Sequence, residues 1–188
     1  MHSILTTALG LFLLSGTSSV GSFPNFYSVA KVPVKTYSVA MTGYNAVAAQ
    51  TDNEPDTTAS GAFSNPDIVA ARSPDLADEL PYGTVIEIMP QEATSTPNCG
   101  LSKIQPFLGY RVIADSMHSR KRNQVDVLFD EDVSARVGGK HMNPAITLGK
   151  CTDVTIRVVG AVDMNKMPKS QIELMAAIGL PMPLSIRK

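Results

Sequence analysis

Tryptophan is absent from this chain, and aromatic residues make up only 6% of it. A core must therefore be built from aliphatic side chains. A hydrophobic content of 44% over 188 residues supplies enough for one domain with appendages. An excess of one charge sign is missing too. Sixteen Lys and Arg stand against 17 Asp and Glu, a formal net charge of −1. That removes the electrostatic reason to expect nucleic acid or an anionic membrane as partner. The one basic cluster, Arg120-Lys121-Arg122, is too short for a polyanion site and reads as a solvated loop tip.

Cysteine is scarce. Cys99 and Cys151 are the two in the chain. An even count permits one disulfide if the chain is exported; two inert thiols are the second reading. A zinc site is the weakest, because no Cys or His stands at ligand spacing from either. His118 and His141 also lie far apart. No metal and no cofactor is expected.

No apolar run is long enough to cross a bilayer comfortably. The apolar run at the start covers residues 4–14, and small polar residues follow over 15–22. This is the pattern of a secretory signal peptide, with Val20 and Ser22 at plausible −3 and −1 positions. Only His2 precedes the run as a basic residue, so an uncleaved anchoring segment is the alternative. No lipobox cysteine follows. The expected organisation is a signal peptide over 1–22 and a linker over 23–35. A domain over 36–162 and a tail over 163–188 follow. A secreted, periplasmic or cell-envelope location is implied, with no stable membrane span once the leader is removed.

The body of the chain reads as short strands separated by long loops. Alternation predicts strands over 36–42, 68–71, 84–89, 109–114, 124–129 and 154–162. The polar stretch 45–61 is a long loop of the kind that carries function. The stretch 90–106 is a second irregular loop. Ser73-Pro74-Asp75 opens a helical turn. Residues 130–137 read as a short helix ended by Gly138-Gly139. Ser170-Gln171-Ile172-Glu173 is a capping-box pattern opening a short tail helix with an apolar face. About six strands with one or two short helices fit a small closed β-barrel better than a parallel α/β sheet.

Two aspartates stand out. Asp115 ends one apolar run and Asp126, eleven residues later, sits inside the next. A carboxylate among strand residues is costly to bury without partners. Burial also raises its pKa, which makes it a usable general acid. Two carboxylates in unlike environments at the mouth of a barrel suit glycoside chemistry.

An ordered set of motifs accompanies them: Thr42-Gly43-Tyr44, Thr58-Ala59-Ser60-Gly61, Val69-Ala70-Ala71, Pro81-Tyr82-Gly83-Thr84, Ala114-Asp115-Ser116 and Val125-Asp126-Val127-Leu128-Phe129. In this order and spacing the chain resembles the 3D domain, named for three aspartates. That domain is a six-stranded double-psi β-barrel, shared with MltA-type lytic transglycosylases and stationary-phase muralytic proteins. The resemblance covers roughly residues 36–162. It implies a lyase acting on peptidoglycan glycan strands, cleaving the β-1,4 bond between N-acetylmuramic acid and N-acetylglucosamine. Asp126 is then the acid/base and Asp115 its assistant. Tyr44, Thr58, Ser60 and Arg72 are the substrate-binding candidates, and Tyr82 and Tyr110 offer flat faces for sugar or for packing.

Two departures from the family pattern bear on chemistry. Arg72 stands where the first of the three aspartates is expected, with Asp75 nearby but out of register. A guanidinium close to Asp126 would hold it ionised and spoil the acid. The family's D-T-G-G-A-I-K-G loop is replaced by Asp115-Ser116-Met117-His118-Ser119-Arg120-Lys121-Arg122, with larger side chains where the glycines stood. The rival expectation is a non-catalytic barrel that binds glycan or a protein. A third is a structural barrel that interacts through its tail helix.

Overall fold

The computed structural model describes residues 34–49, 51, 54–90 and 98–181. The expected signal peptide over 1–22 lies outside the described residues, as does all but the end of the linker. The elements run β1 (Thr36–Asn45), β2 (Val69–Arg72), β3 (Thr84–Ile88), α1 (Leu101–Ile104), β4 (Tyr110–Ser116) and β5 (Gln124–Phe129). Then come β6 (Ala135–Val137), β7 (Lys140–Met142), α2 (Pro144–Leu148), β8 (Cys151–Ala161) and α3 (Gln171–Ala177). Six strands close into a mixed barrel in the order β1-β5-β2-β4-β3-β8, while β6 and β7 form a separate hairpin. Closure leaves these six short strands no open edge. The protein is thus the all-β, six-stranded barrel that strand count and loop length predict.

Neighbours in the barrel are not neighbours in sequence. β1 pairs with β5 and β2 with β4 in parallel, and β2 pairs with β5 antiparallel between them. Parallel pairing requires crossovers; the chain passes through β3 and α1 between β2 and β4, and through β2, β3, α1 and β4 between β1 and β5. Strand alternation then sorts the side chains onto two buried faces. One face gathers Val39, Ala70, Ile86, Ile113, Val125, Val127 and Ile156, with Leu101 and Leu148 from the short helices. The other gathers Val69, Val85, Val112, Ala114 and Leu128 beneath Leu174 of α3. With both faces buried, β2 carries a continuous apolar run over residues 69–71 before Arg72.

Arg111 on β4 is a charged residue within this packing, 2% exposed. Its guanidinium group donates to the carbonyls of Pro66, Phe107, Leu108 and Leu128 and lies 5.6 Å from the Phe129 ring centre. Burial pushes its pKa down to about 10, which leaves it charged at neutral pH. Four carbonyls from three separate segments thus share one cation.

The tail helix forms where the capping box predicts it. Ser170 Oγ accepts from the Glu173 N–H at 3.3 Å, and Glu173 reaches back to the Lys169 N–H at 2.8 Å. The helix expected over 130–137 does not form. Ala135–Val137 is a strand paired with Lys140–Met142. Gly138 and Gly139 both have positive φ, 57° and 82°. Two such residues in succession make the tight turn of a β-hairpin, whose twist matches its strands. The irregular loop expected over 90–106 contains α1. Cys99 therefore stands just before a helix. The helix α2 was not expected either. Asn143 caps it, accepting from the Ala145 N–H at 2.9 Å, with Pro144 at the first helical position.

Cys99 and Cys151 are joined in a disulfide across a sequence separation of 52. It fastens the segment before α1 to the start of β8. Gly100, next to it, packs so closely that a Cβ would lie 1.9 Å from the Thr147 carbonyl oxygen. Closing a loop of this length restricts the unfolded chain. Replacing both cysteines by serine is expected to lower unfolding free energy by about 3 kcal/mol, read from urea midpoints against the oxidised parent.

Candidate functional site

Backbone register lines up a row of four residues across four adjacent strands. Thr42 on β1 pairs with Asp126 on β5; Asp126 pairs with Ala71 on β2; Ala71 pairs with Asp115 on β4. Paired residues point to one side of a sheet. The last step depends on a bulge between Ala70 and Ala71 in the β2–β4 pairing. Ala70 faces Ile113 and Ala71 faces Asp115, so Ala114 is the extra residue. Without it Ala71 would face Ala114, and Asp115 would turn away from Asp126. Ala71, carrying only a methyl group, leaves room between the two carboxylates.

An open groove of about 530 Å³ runs over Asp126, Ala71 and Asp115 of this row. Its walls come from Tyr44, from Thr57, Ala59 and Ser64 of the loop before β2, and from Met117, His118 and Lys121 of the loop after β4. Asp115 and Asp126 both line it. Their surroundings differ. Asp115 accepts three hydrogen bonds: Oδ1 from the backbone N–H groups of Ala59 and Ser116, each at 2.8 Å, and Oδ2 from the Tyr44 hydroxyl at 2.9 Å. It fastens the loop before β2 and the end of β1 onto β4. The Tyr44 pKa is raised above the ordinary phenol value, first by burial and then by the Asp115 charge, so Tyr44 remains a proton donor. Among the described residues, Asp126 has one hydrogen bond, from Thr42 Oγ1 to its Oδ1 at 2.8 Å. Burial pushes its pKa up to about 6. The Thr42 hydrogen bond and the Lys121 charge oppose the rise, and Asp115 adds a smaller push.

Arg72 is set apart from this arrangement. It pairs with Val125 and Ser116, one residue beyond the row, and so belongs to the opposite face of β2. Its Nε donates to the Leu80 carbonyl at 2.9 Å, and its guanidinium carbon lies 5.0 Å from the Tyr82 ring centre. The guanidinium does not line the groove and is not among the charges acting on Asp126. The groove role expected for Arg72 is therefore corrected to a packing role, for which strand alternation is the cause. Asp75 accepts from the Asn123 N–H at 2.9 Å at the turn into β5 and does not line the groove.

Among the other candidates, Tyr44 lines the groove, but its hydroxyl is committed to Asp115. The hydroxyls of Thr58 and Ser60 lie 3.0 Å apart, and Thr58 also donates to the Ala62 carbonyl, so they hold the loop's shape rather than face the groove. Sequence reasoning missed Thr42 as the partner of Asp126, and Gln124, whose amide donates to Thr42 at 2.7 Å. The signal was available. Gln124 lies two residues before Asp126 and Thr42 two before Tyr44, the period of one strand face. Lys121, read as part of a solvated tip, is a groove residue. Among the described residues, no group of three or more His, Cys, Asp or Glu assembles a metal site.

Fold and site together define a class: an all-β protein whose closed six-stranded barrel carries two unlike carboxylates in one open groove. No family model matches the chain, and no curated protein matches it.

Proposed function

We propose that this is an exported cell-envelope protein of the 3D-domain type that cleaves peptidoglycan glycan strands by lytic transglycosylase chemistry. One observation carries the reading. Asp126 is a half-buried groove carboxyl with a pKa of about 6, and among the described residues one of its oxygens has no hydrogen bond, so it is part protonated near neutral pH. Such a group can serve as acid and then as base. Its proton passes to the glycosidic oxygen as the bond from the muramyl anomeric carbon breaks, and the bonding pair leaves with that oxygen. The muramyl 6-hydroxyl then bonds to the anomeric carbon and gives its proton to the Asp126 carboxylate. The 1,6-anhydro product forms without water, so the paired carboxylates of hydrolysing glycosidases are not required. This accords with Asp115, whose oxygens are filled by donors that hold the groove's wall.

Purified protein incubated with peptidoglycan is expected to release 1,6-anhydromuropeptides. No such product, under conditions where a known lytic transglycosylase forms it, overturns the reading. A second reading is a barrel that binds glycan without cleaving it, and the structural use of Asp115 favours it. Retention on insoluble peptidoglycan, unchanged by Asp126→Asn and without turnover by the parent, is the result that would select it.

A further inference from the structure

Two hydrogen bonds in series lead to Asp126. Gln124 Nε2 donates to Thr42 Oγ1 at 2.7 Å, and Thr42 Oγ1 donates to Asp126 Oδ1 at 2.8 Å. A hydroxyl carries one proton. With a Thr42 lone pair occupied by the Gln124 amide, that proton points to Oδ1. Oδ1 is then held as an acceptor, and a carboxyl proton on Asp126 has its place on Oδ2. Among the described residues no hydrogen bond reaches Oδ2. The reverse setting of the amide would present its carbonyl oxygen to Thr42 and draw the hydroxyl proton away from Asp126. The ionised carboxylate would then lose a charge-assisted bond. Gln124 is itself fixed. It is 6% exposed, and its main chain is anchored: the backbone N–H donates to Ser73 Oγ at 3.0 Å and the backbone carbonyl accepts from the Ser73 N–H at 2.8 Å.

We propose that Gln124 is a positioning residue which, through Thr42, directs the Asp126 proton onto Oδ2, the oxygen left free for a groove ligand. The proposal rests on the reading of Asp126 as acid/base given above. The chain would make the acid donate in one direction instead of sharing its proton between two oxygens. The other charged or titratable groups about Asp126 are Asp115 on β4, Tyr44 on β1, and Lys121 and His118 on the loop after β4; β2 presents only Ala71.

The test is a carboxyl ¹³C NMR titration of Asp126, which needs no substrate. Thr42→Val should raise its pKa by about one unit and Thr42→Ser should give back the wild-type titration. Gln124→Leu, which frees the Thr42 hydroxyl to turn, should raise it by about half a unit and lower kcat about tenfold with KM changed less than about twofold. A Gln124→Leu protein that titrates as wild type overturns the proposal. If that variant does not fold, an unchanged titration in Thr42→Val does the same. These shifts in a wild type that cleaves no glycan would uphold the proton placement while overturning the proposed reaction.

Discussion

Asp126→Asn is expected to abolish anhydromuropeptide release, lowering kcat by about 10³-fold, while glycan binding is retained. The amide keeps the shape of the carboxyl and can still accept from Thr42, but it has no acidic proton to give. In the parent, activity should follow the protonated fraction of Asp126. It should fall about tenfold per pH unit once the pH exceeds the carboxyl's value of about 6. The same substitution should make the protein more stable at neutral pH. The folded pKa of Asp126 is raised above its ordinary 3.8, so the folded state holds the proton more tightly than the unfolded chain. Below pH 4 both states are protonated and the group is neutral in the balance. Between about 4 and 6 folding loses that advantage, and above 6 the buried charge costs up to about 3 kcal/mol. Asparagine escapes this cost. Thermal melts at pH 7.5 should show a higher midpoint for Asp126→Asn, and the gain should vanish near pH 4. A variant that loses activity and stability together at pH 7.5 would make Asp126 a structural clamp instead.

Arg111→Met is expected to cost about 5 kcal/mol of unfolding free energy, measured as a shift in urea midpoint. Methionine fills much of the space of the arginine stem and removes every donor. The carbonyls of Pro66, Phe107, Leu108 and Leu128 would each lose the N–H that meets them. Each orphaned buried acceptor costs about 1–3 kcal/mol. The loss is comparable with the whole stability of a small domain. Arg111→Lys keeps the charge, yet a lysine's three donors radiate from one point and do not span four carbonyls on three segments. It should recover only a small part of the loss. Full recovery by lysine would mean that the charge, not the guanidinium fork, is what matters.

Much of the fold could be read in the chain itself. Six alternating segments between polar loops predicted six strands, and Gln124–Phe129 forms over the predicted residues. The Ser170 capping box predicted α3 because cap and helix lie within four residues of each other. Residues 130–137 fit a helix with a glycine stop, yet the pair Gly138-Gly139 serves equally as the tight turn of the hairpin that forms over 135–142. Local sequence does not distinguish the two. α1 and α2 are only four and five residues long, too short to show an apolar period.

By itself the sequence determined that the chain makes strands joined by long crossovers, and that two aspartates fall eleven residues apart on strands consecutive in sequence. It also placed an arginine at the position most able to silence one of them. Which way that arginine points was decided by tertiary structure. β2 runs one residue beyond its predicted end, so Arg72 lies in the strand and alternates away from Ala71 and Asp126 toward Tyr82. The extra residue Ala114 in β4 then turns Asp115 onto the groove side. Neither a register nor a bulge is written in any local stretch. Each follows from how six strands share their hydrogen bonds around a closed barrel, and one residue of slip carries a side chain to the other face.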